Sequence, residues 1–394
     1  MLVGSSYTRR RAIAFCYRFY TTRPEPASPR VDSALPPRPL WRQYFPSSSK
    51  PFQHRVSLSN PITAALVADA FVPVGSKDKV VIEIFPGPGQ LTRALIDLPR
   101  DRISKIIVLE AAETYLRYLK PLEALDHRVT VVPIAGESWA SYQTLQDMKL
   151  LDDVHTMPWS EGVHPQLHFI SHLAANVQGE QLISQLFRSI PDQQWLFKYG
   201  RIPMSILLSE YVWKRVAGDH LFIRCKLSMI AAAVASCKEA VPYSTLQPYA
   251  DHFHPVPSAS AQAQRAKEKE QERPLMIGKP GNPFVAINIE PLKHQAIRPG
   301  LLDKWDYCLR HLYVNRATPI KNALPYLAPN AQSLLKKLTA PDLDANHRIN
   351  PKTPVREMSV QDWSLLVQAF DEWPFAPEDL SITDTIGIDD EKHG

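Results

Sequence analysis

The chain has 394 residues, 44% apolar and 22% charged, with a formal charge of +5, long enough for two domains and a sizeable core. Its four cysteines, Cys16, Cys225, Cys237 and Cys308, show no paired spacing, which argues against a disulfide framework or a zinc knuckle. Five of the 45 basic residues fall in the first 23 positions, leaving 40 against 40 acidic ones, so net charge gives no argument for a nucleic-acid partner. The longest apolar stretch, around "LSMIAAAVASC", is too short to span a bilayer, and no membrane partner is expected.

Residues 1–23 carry Arg9, Arg10, Arg11, Arg18 and Arg23 with no acidic residue, among Ser, Thr and aromatic side chains. That composition predicts a mitochondrial presequence and a destination in the mitochondrial matrix; a basic tail that binds nucleic acid directly is the alternative. Residues 24–50, rich in Pro and Ser, predict a loose connector. "LSNPITAALVADAFV" predicts a helix with Asn60 as N-cap and Pro61 at its first position.

Strands and helices then alternate from Lys79 to about Val177, the pattern of a doubly wound parallel sheet. "VVIEIFPGPGQLT" reads as a buried strand bearing Glu83 near its end, then a turn in which Gly87 and Gly89 allow a ligand close approach. A second strand, Ile106 to Leu109, is closed by Glu110, placed to bind a ribose diol. A third, Arg128 to Ile134, leads to Gly136, Glu137 and Trp139, where a carboxylate and an aromatic ring can hold an adenine. Carboxylates at these tips, with no phosphate to neutralise, favour S-adenosylmethionine over a dinucleotide. His164, His168 and His172 are spaced by four, yet Pro165 and the strand-like "LHFIS" argue against a shared helix face, and no metal is expected.

"QLISQLFRSI" predicts an amphipathic helix and "RIPMSILLS" a buried element, and "HLFIRCKLSMIAAAVA" leads into a core helix. Residues 258–283 form a charged low-complexity insert, read as a solvated loop. "FVAINIEPL" resumes as a strand that completes the sheet, so that residues 51–291 read as one α/β domain. Residues 292–376 show helical spacing in "LLDKWDYCLRHLYVNR", "PIKNALPYLAPNAQSLLKKL" and "SVQDWSLLVQAFDEW". There Arg310, Arg316 and Lys321 lie close in sequence to Tyr307, Tyr313 and Tyr326, a mixture suited to phosphates and bases; a solvated helix face is the alternative. Residues 377–394 form an acidic tail, expected to be flexible.

Taken together, Glu83 with "FPGPG", Glu110, "WASY", "AANVQGE", "WLFKYGR", Leu227-Ser228, "FHPVP" and "LRHLYVNR" with "KNAL" resemble the rRNA adenine dimethyltransferase family, from about Pro51 to Trp373 apart from the insert. The likeness is to its fungal mitochondrial transcription factor B branch, the specificity factors of mitochondrial RNA polymerase. The resemblance implies an α/β, Rossmann-like S-adenosylmethionine-dependent methyltransferase fold with a small C-terminal helical domain. It also makes Asn176 the candidate catalytic residue of a degenerate motif, in which Asn176-Val177-Gln178-Gly179 stands where active members have Asn-Leu-Pro-Tyr. Phe253 takes the place of a base-stacking aromatic, and Phe85 fills the first glycine position of the cofactor turn. The implied function is transcription initiation with mitochondrial RNA polymerase on promoter DNA, as a monomer outside that complex, with cofactor binding weak or lost. Dimethylation of small-subunit rRNA adenine and non-catalytic rRNA binding in ribosome assembly are the alternatives.

Overall fold

A seven-stranded, mostly parallel sheet organises the protein, whose computed structural model describes residues 34–47, 54–258, 260, 281–341, 344 and 348–380. The expected presequence, much of the connector, nearly all of the charged insert and the tail beyond Leu380 lie outside the described residues. In chain order the strands are β1 (Ser57–Leu58), β2 (Lys79–Ile84), β3 (Ile103–Leu109), β4 (Val129–Val132), β5 (Leu167–His172), β6 (Met204–Ser209), β7 (Ala235–Glu239), β8 (Phe253–His254) and β9 (Phe284–Pro291). The main sheet has the order β4-β3-β2-β5-β6-β9-β7, and β1 pairs separately with β8. β2 runs parallel to β3 and β5, β3 to β4, and β5 to β6, whereas β9 is antiparallel to β6 and β7. This is the doubly wound α/β architecture expected.

The helices used below are α1 (Pro61–Phe71), α2 (Gln90–Ile96), α3 (Glu113–Leu119), α4 (Trp139–Asp147), α5 (Val177–Arg188), α6 (Glu210–Ala217), α7 (Lys226–Val234), α8 (Leu302–Tyr313), α9 (Leu334–Leu338) and α10 (Val360–Asp371). α1 starts as its sequence demands: the Asn60 side chain accepts from the backbone N–H of Ile62 and Thr63, and Pro61 has no donor to leave unsatisfied. Along β2 the pleat sends Val80, Ile82 and Ile84 into one apolar cluster and Val81 into another, so both faces of the sheet are covered. The first of these clusters also contains Trp305, Leu309, Leu312, Leu334, Trp363 and Phe370, so the C-terminal helices share a core with the sheet.

Two stretches differ from their sequence reading. "PIKNALPYLAPNAQSLLKKL" is not one helix but a short helix at Ile320–Ala323, 3-10 turns at Leu324–Tyr326 and Ala331–Ser333, and α9. Pro325 and Pro329 cannot donate into a helical ladder, and Asn330 adopts φ of 64°, which interrupts it. The second is β7, "ASCKE", which lacks the β-branched and aromatic residues that signal a strand. It forms by pairing with β9 at the sheet edge, with Cys237 opposite Ile289.

Trp363 is fully buried and stacks on Tyr313 at 5.7 Å between ring centroids and 8° between planes. Trp363→Ala is expected to cost about 3–5 kcal/mol and to lower a single urea-unfolding transition followed by circular dichroism. Two separated transitions would contradict a core shared between sheet and C-terminal helices.

Candidate cofactor and nucleic-acid site

β2 pairs with β3 on one side and β5 on the other, and the chain visits β3 and β4 before returning to β5. The direction of winding therefore reverses between β2 and β5, and a crevice opens beyond their carboxyl ends. A cavity of about 340 Å³ lies there, lined by His54, Arg55, Phe85 and Glu137, by Ala174 and Asn176 after β5, and by Gln178, Gly179, Gln181, Leu182 and Gln185 of α5. Its size falls at the small end of the range for ligand sites.

The turn after β2 is shaped by what crosses it. Gly87 has φ of 61°, and a Cβ there would fall 2.2 Å from the Ser57 hydroxyl of β1, so only glycine permits the crossing. Gly89, φ 88°, closes the turn as the N-cap of α2. Phe85 adopts φ of 55° where a glycine would do so freely, at a cost of about 1–2 kcal/mol. Its ring is held beneath the Arg55 guanidinium, whose carbon lies 4.9 Å from the ring centre and 5.2 Å from that of Tyr115.

Arg55 reaches Glu110, which follows β3 and is 3% exposed. Arg55 Nη2 donates to Glu110 Oε2 at 2.5 Å, and Nη1 lies 3.4 Å from Oε1, which also accepts from the backbone N–H of Ala112 at 2.9 Å. Burial pulls the Arg55 pKa down, but the charge and hydrogen bonds of Glu110 more than reverse that, with smaller help from Tyr115 and Glu137, so the guanidinium stays charged. Both oxygens of Glu110 are thus engaged within the chain. Glu137 is exposed at the cavity rim.

Glu83, expected at the cofactor, is 1% exposed, and among the described residues no partner meets its carboxylate oxygens in full hydrogen-bond geometry, the Thr92 hydroxyl being a weak neighbour. It lies beneath the turn and does not line the cavity, so it offers no surface to a ligand. Burial pushes its pKa up to about 7, opposed only in part by the Thr92 hydroxyl and the Arg93 charge.

Asn176 does line the cavity, but its side chain serves α5. Its carbonyl oxygen accepts from the Gly179 N–H at 3.1 Å, and its Nδ2 donates to Gln178 Oε1 at 3.3 Å. A Cβ on Gly179 would fall 2.1 Å from the Ala174 carbonyl oxygen. The missing aromatic therefore cannot be restored at this position without moving backbone.

The residues expected at nucleic acid are dispersed. Phe253 is fully buried, stacked on Tyr249 at 5.2 Å and 29° and packed on Phe284 and His172. It has no free face for a base, because the pairing of β8 with β1 turns it into the core. Arg310, on α8, donates to the Leu380 carbonyl and lies over Tyr307. Arg316 is exposed, and its Nη1 donates to the Phe222 carbonyl at 3.2 Å. Lys321 sits half-buried on the short helix Ile320–Ala323. Among the described residues, no group of three or more His, Cys, Asp or Glu is arranged to hold a metal ion. Arg55 was missed from sequence, since an isolated cation in "QHRVSL" carries no signal until folding joins it to Glu110, 55 positions on.

Residues 56–372 match the sequence profile of the family described as Ribosomal RNA adenine dimethylase. Mitochondrial transcription factor 1 of Lachancea kluyveri is 21% identical over 301 residues, covering 76% of this chain and 82% of that protein. Mitochondrial dimethyladenosine transferase 1 of Caenorhabditis elegans is 26% identical over 221 residues, covering 52% of this chain and 55% of that one. Mitochondrial transcription factor 1 of Saccharomyces cerevisiae is 24% identical over 218 residues, covering 52% and 57%. Among solved structures, the 23S rRNA methyltransferase ErmE aligns with a TM-score of 0.48 at 14% identity, over 80% of this chain and 99% of its own.

Two outcomes follow from the buried charges. Arg55→Met strands Glu110 without its counter-ion and is expected to cost about 3 kcal/mol in urea denaturation. Glu83 holds its proton more tightly folded (about 7) than at its ordinary 4.5, so its contribution to stability is full below 4.5 and lost as pH rises through about 7. Glu83→Gln should therefore flatten that part of the stability-versus-pH curve; an unchanged slope in the variant would refute the assignment.

Proposed function

The chain belongs to the ribosomal RNA adenine dimethylase family, and from that premise we infer that it is a mitochondrial transcription initiation factor that uses the methyltransferase fold without the methyl transfer. The observation that carries this reading is the Arg55–Glu110 pair capped by Phe85. In this family's fold the carboxylate closing the second strand of the unit is the group placed to bind a ribose diol, and here Arg55 and the Ala112 N–H take both of its oxygens. Phe85 fills the turn where the amino-acid half of S-adenosylmethionine would approach. The residues present do not fit the cofactor, and no chemical step is derived through it.

What the site can still do is bind. The cavity presents the amides of Gln181 and Gln185, whose donors and acceptors match the edges of an unpaired base. The segment from residue 292 onward supplies the exposed Arg316 and the half-buried Arg310 and Lys321 for phosphates. Opening a promoter removes stacking at about 1.4 kcal/mol per step, which a factor offsets by holding the released strand while mitochondrial RNA polymerase engages it. Two of the relatives are named mitochondrial transcription factors, which supports this assignment and a place in the mitochondrion; a matrix location and a monomer outside the polymerase complex are part of the same proposal. The second reading, adenine dimethylation of small-subunit rRNA, draws on the family and on the name of the Caenorhabditis elegans relative; a non-catalytic role in ribosome assembly comes third.

The test is runoff transcription with the cognate mitochondrial RNA polymerase on closed duplex and pre-opened bubble templates. The factor should be required on the duplex and largely dispensable on the bubble, and Arg316→Ala should reduce initiation several-fold on the duplex alone. Equal duplex transcription without the factor would remove the reading. Calorimetry should find no S-adenosylmethionine binding by the wild-type protein, with at least a tenfold gain in affinity in an Arg55→Ala, Phe85→Gly double variant; micromolar binding by the wild type would overturn the closed-site argument.

A further inference from the structure

The loop between α6 and α7, residues 218–225, exposes three consecutive apolar side chains. Leu221 is 38%, Phe222 63% and Ile223 37% exposed, and Val314, just beyond α8, is 79% exposed. A run of that kind held in solvent marks a contact surface. The loop is not slack: the N–H groups of Ile223 and Arg224 both donate to the His220 carbonyl, and Gly218 turns out of α6 with φ of 61°.

Three arginines from separate parts of the chain converge on this tip. Arg356 lies over the Phe222 ring at 5.0 Å, Arg316 donates to the Phe222 carbonyl, and Arg224 Nε donates to the Gly218 carbonyl at 3.2 Å; the His220 ring stacks on Phe222 at 5.9 Å and 28°, an offset that still leaves Phe222 63% exposed. Two acids are neighbours in sequence, Asp219 in the loop and Glu357, whose carboxylate is 3.7 Å from Arg356. The tip is therefore apolar and aromatic at its centre and carries a net positive rim. Guanidinium groups beside a flat ring match phosphates flanking an unstacked base, and Phe, Leu and Ile are the side chains that wedge between base steps. An uncharged apolar protein surface would cover the three guanidinium groups without supplying a counter-charge.

We propose that loop 218–224 is a nucleic-acid wedge: Phe222 stacks on the last paired base where duplex gives way to single strand, Leu221 and Ile223 exclude water beside it, and Arg224, Arg316 and Arg356 hold the flanking phosphates. This rests on the promoter-opening reading, to which it adds the element that keeps the junction from reclosing.

The test uses the full chain alone, with no polymerase, and fluorescence anisotropy on a forked DNA with unpaired tails beside a blunt duplex, each titrated with salt. Phe222→Ala should weaken fork binding about 5- to 100-fold, leave the salt dependence unchanged and barely affect the duplex, and Phe222→Trp should restore fork binding. Arg224→Ala should weaken both DNAs and lower the slope of log affinity against log salt by about 0.9. Wild-type fork affinity in Phe222→Ala would overturn the wedge, the more so if the same variant loses affinity for the polymerase without DNA, which would assign the loop to a protein contact. Failure of the wild-type factor to support duplex transcription would instead remove the promoter reading, and the fork titration would still decide the wedge.

Discussion

A carboxylate at the end of β3 is buried to 3% exposure, and a charge so placed needs a partner. Arg55 supplies it from within the chain, and much of the site's geometry follows from that contact. To deliver its guanidinium, the segment from His54 to Leu58 must cross the glycine turn, which is why the Ser57 hydroxyl occupies the space beside Gly87. The same crossing places β1 where it pairs with β8, Leu58 opposite Phe253, and that pairing carries the Phe253 ring into the core. An engaged Glu110 and a Phe253 ring buried in the core thus share one structural origin.

On the proposed reading, what remains at the crevice is a polar cavity that binds. Asn176 caps α5 with the oxygen that would otherwise accept from an amine, and the Ala174 carbonyl stands where a side chain at position 179 would begin. The family's scaffold persists because the two sides of the sheet and the C-terminal helices are held by apolar packing that does not depend on catalysis. A fold can keep its architecture while its site changes role, since stability and chemistry draw on different residues.

The architecture was legible in the sequence for a physical reason. Runs such as "VVIEI" and "FVAI" are buried on both faces and so are apolar but for Glu83, and the Asn60-Pro61 start of α1 is a local signal that needs no tertiary context. Edge strand β7 was not legible because its pairing with β9, not its composition, makes it a strand. The positions of Glu110, Glu137 and Phe85 could be read from their places after strands and in the turn. Their state could not, because Arg55 meets Glu110 only across 55 residues of folded chain. Phe253 was misplaced for the same reason: a motif records sequence neighbours, whereas burial is decided by β1, which comes from the far end of the domain. Arg316 was visible as a cation, but its convergence with Arg224 and Arg356 on one apolar tip was not.

The central claim is that this methyltransferase fold binds nucleic acid without modifying it, and transfer of a tritiated methyl group tests it most directly. The wild-type protein, incubated with labelled S-adenosylmethionine and unmodified small-subunit rRNA, is predicted to incorporate no label above a protein-free control. Stoichiometric labelling of adjacent adenines would contradict the account and establish the chain as a dimethyltransferase.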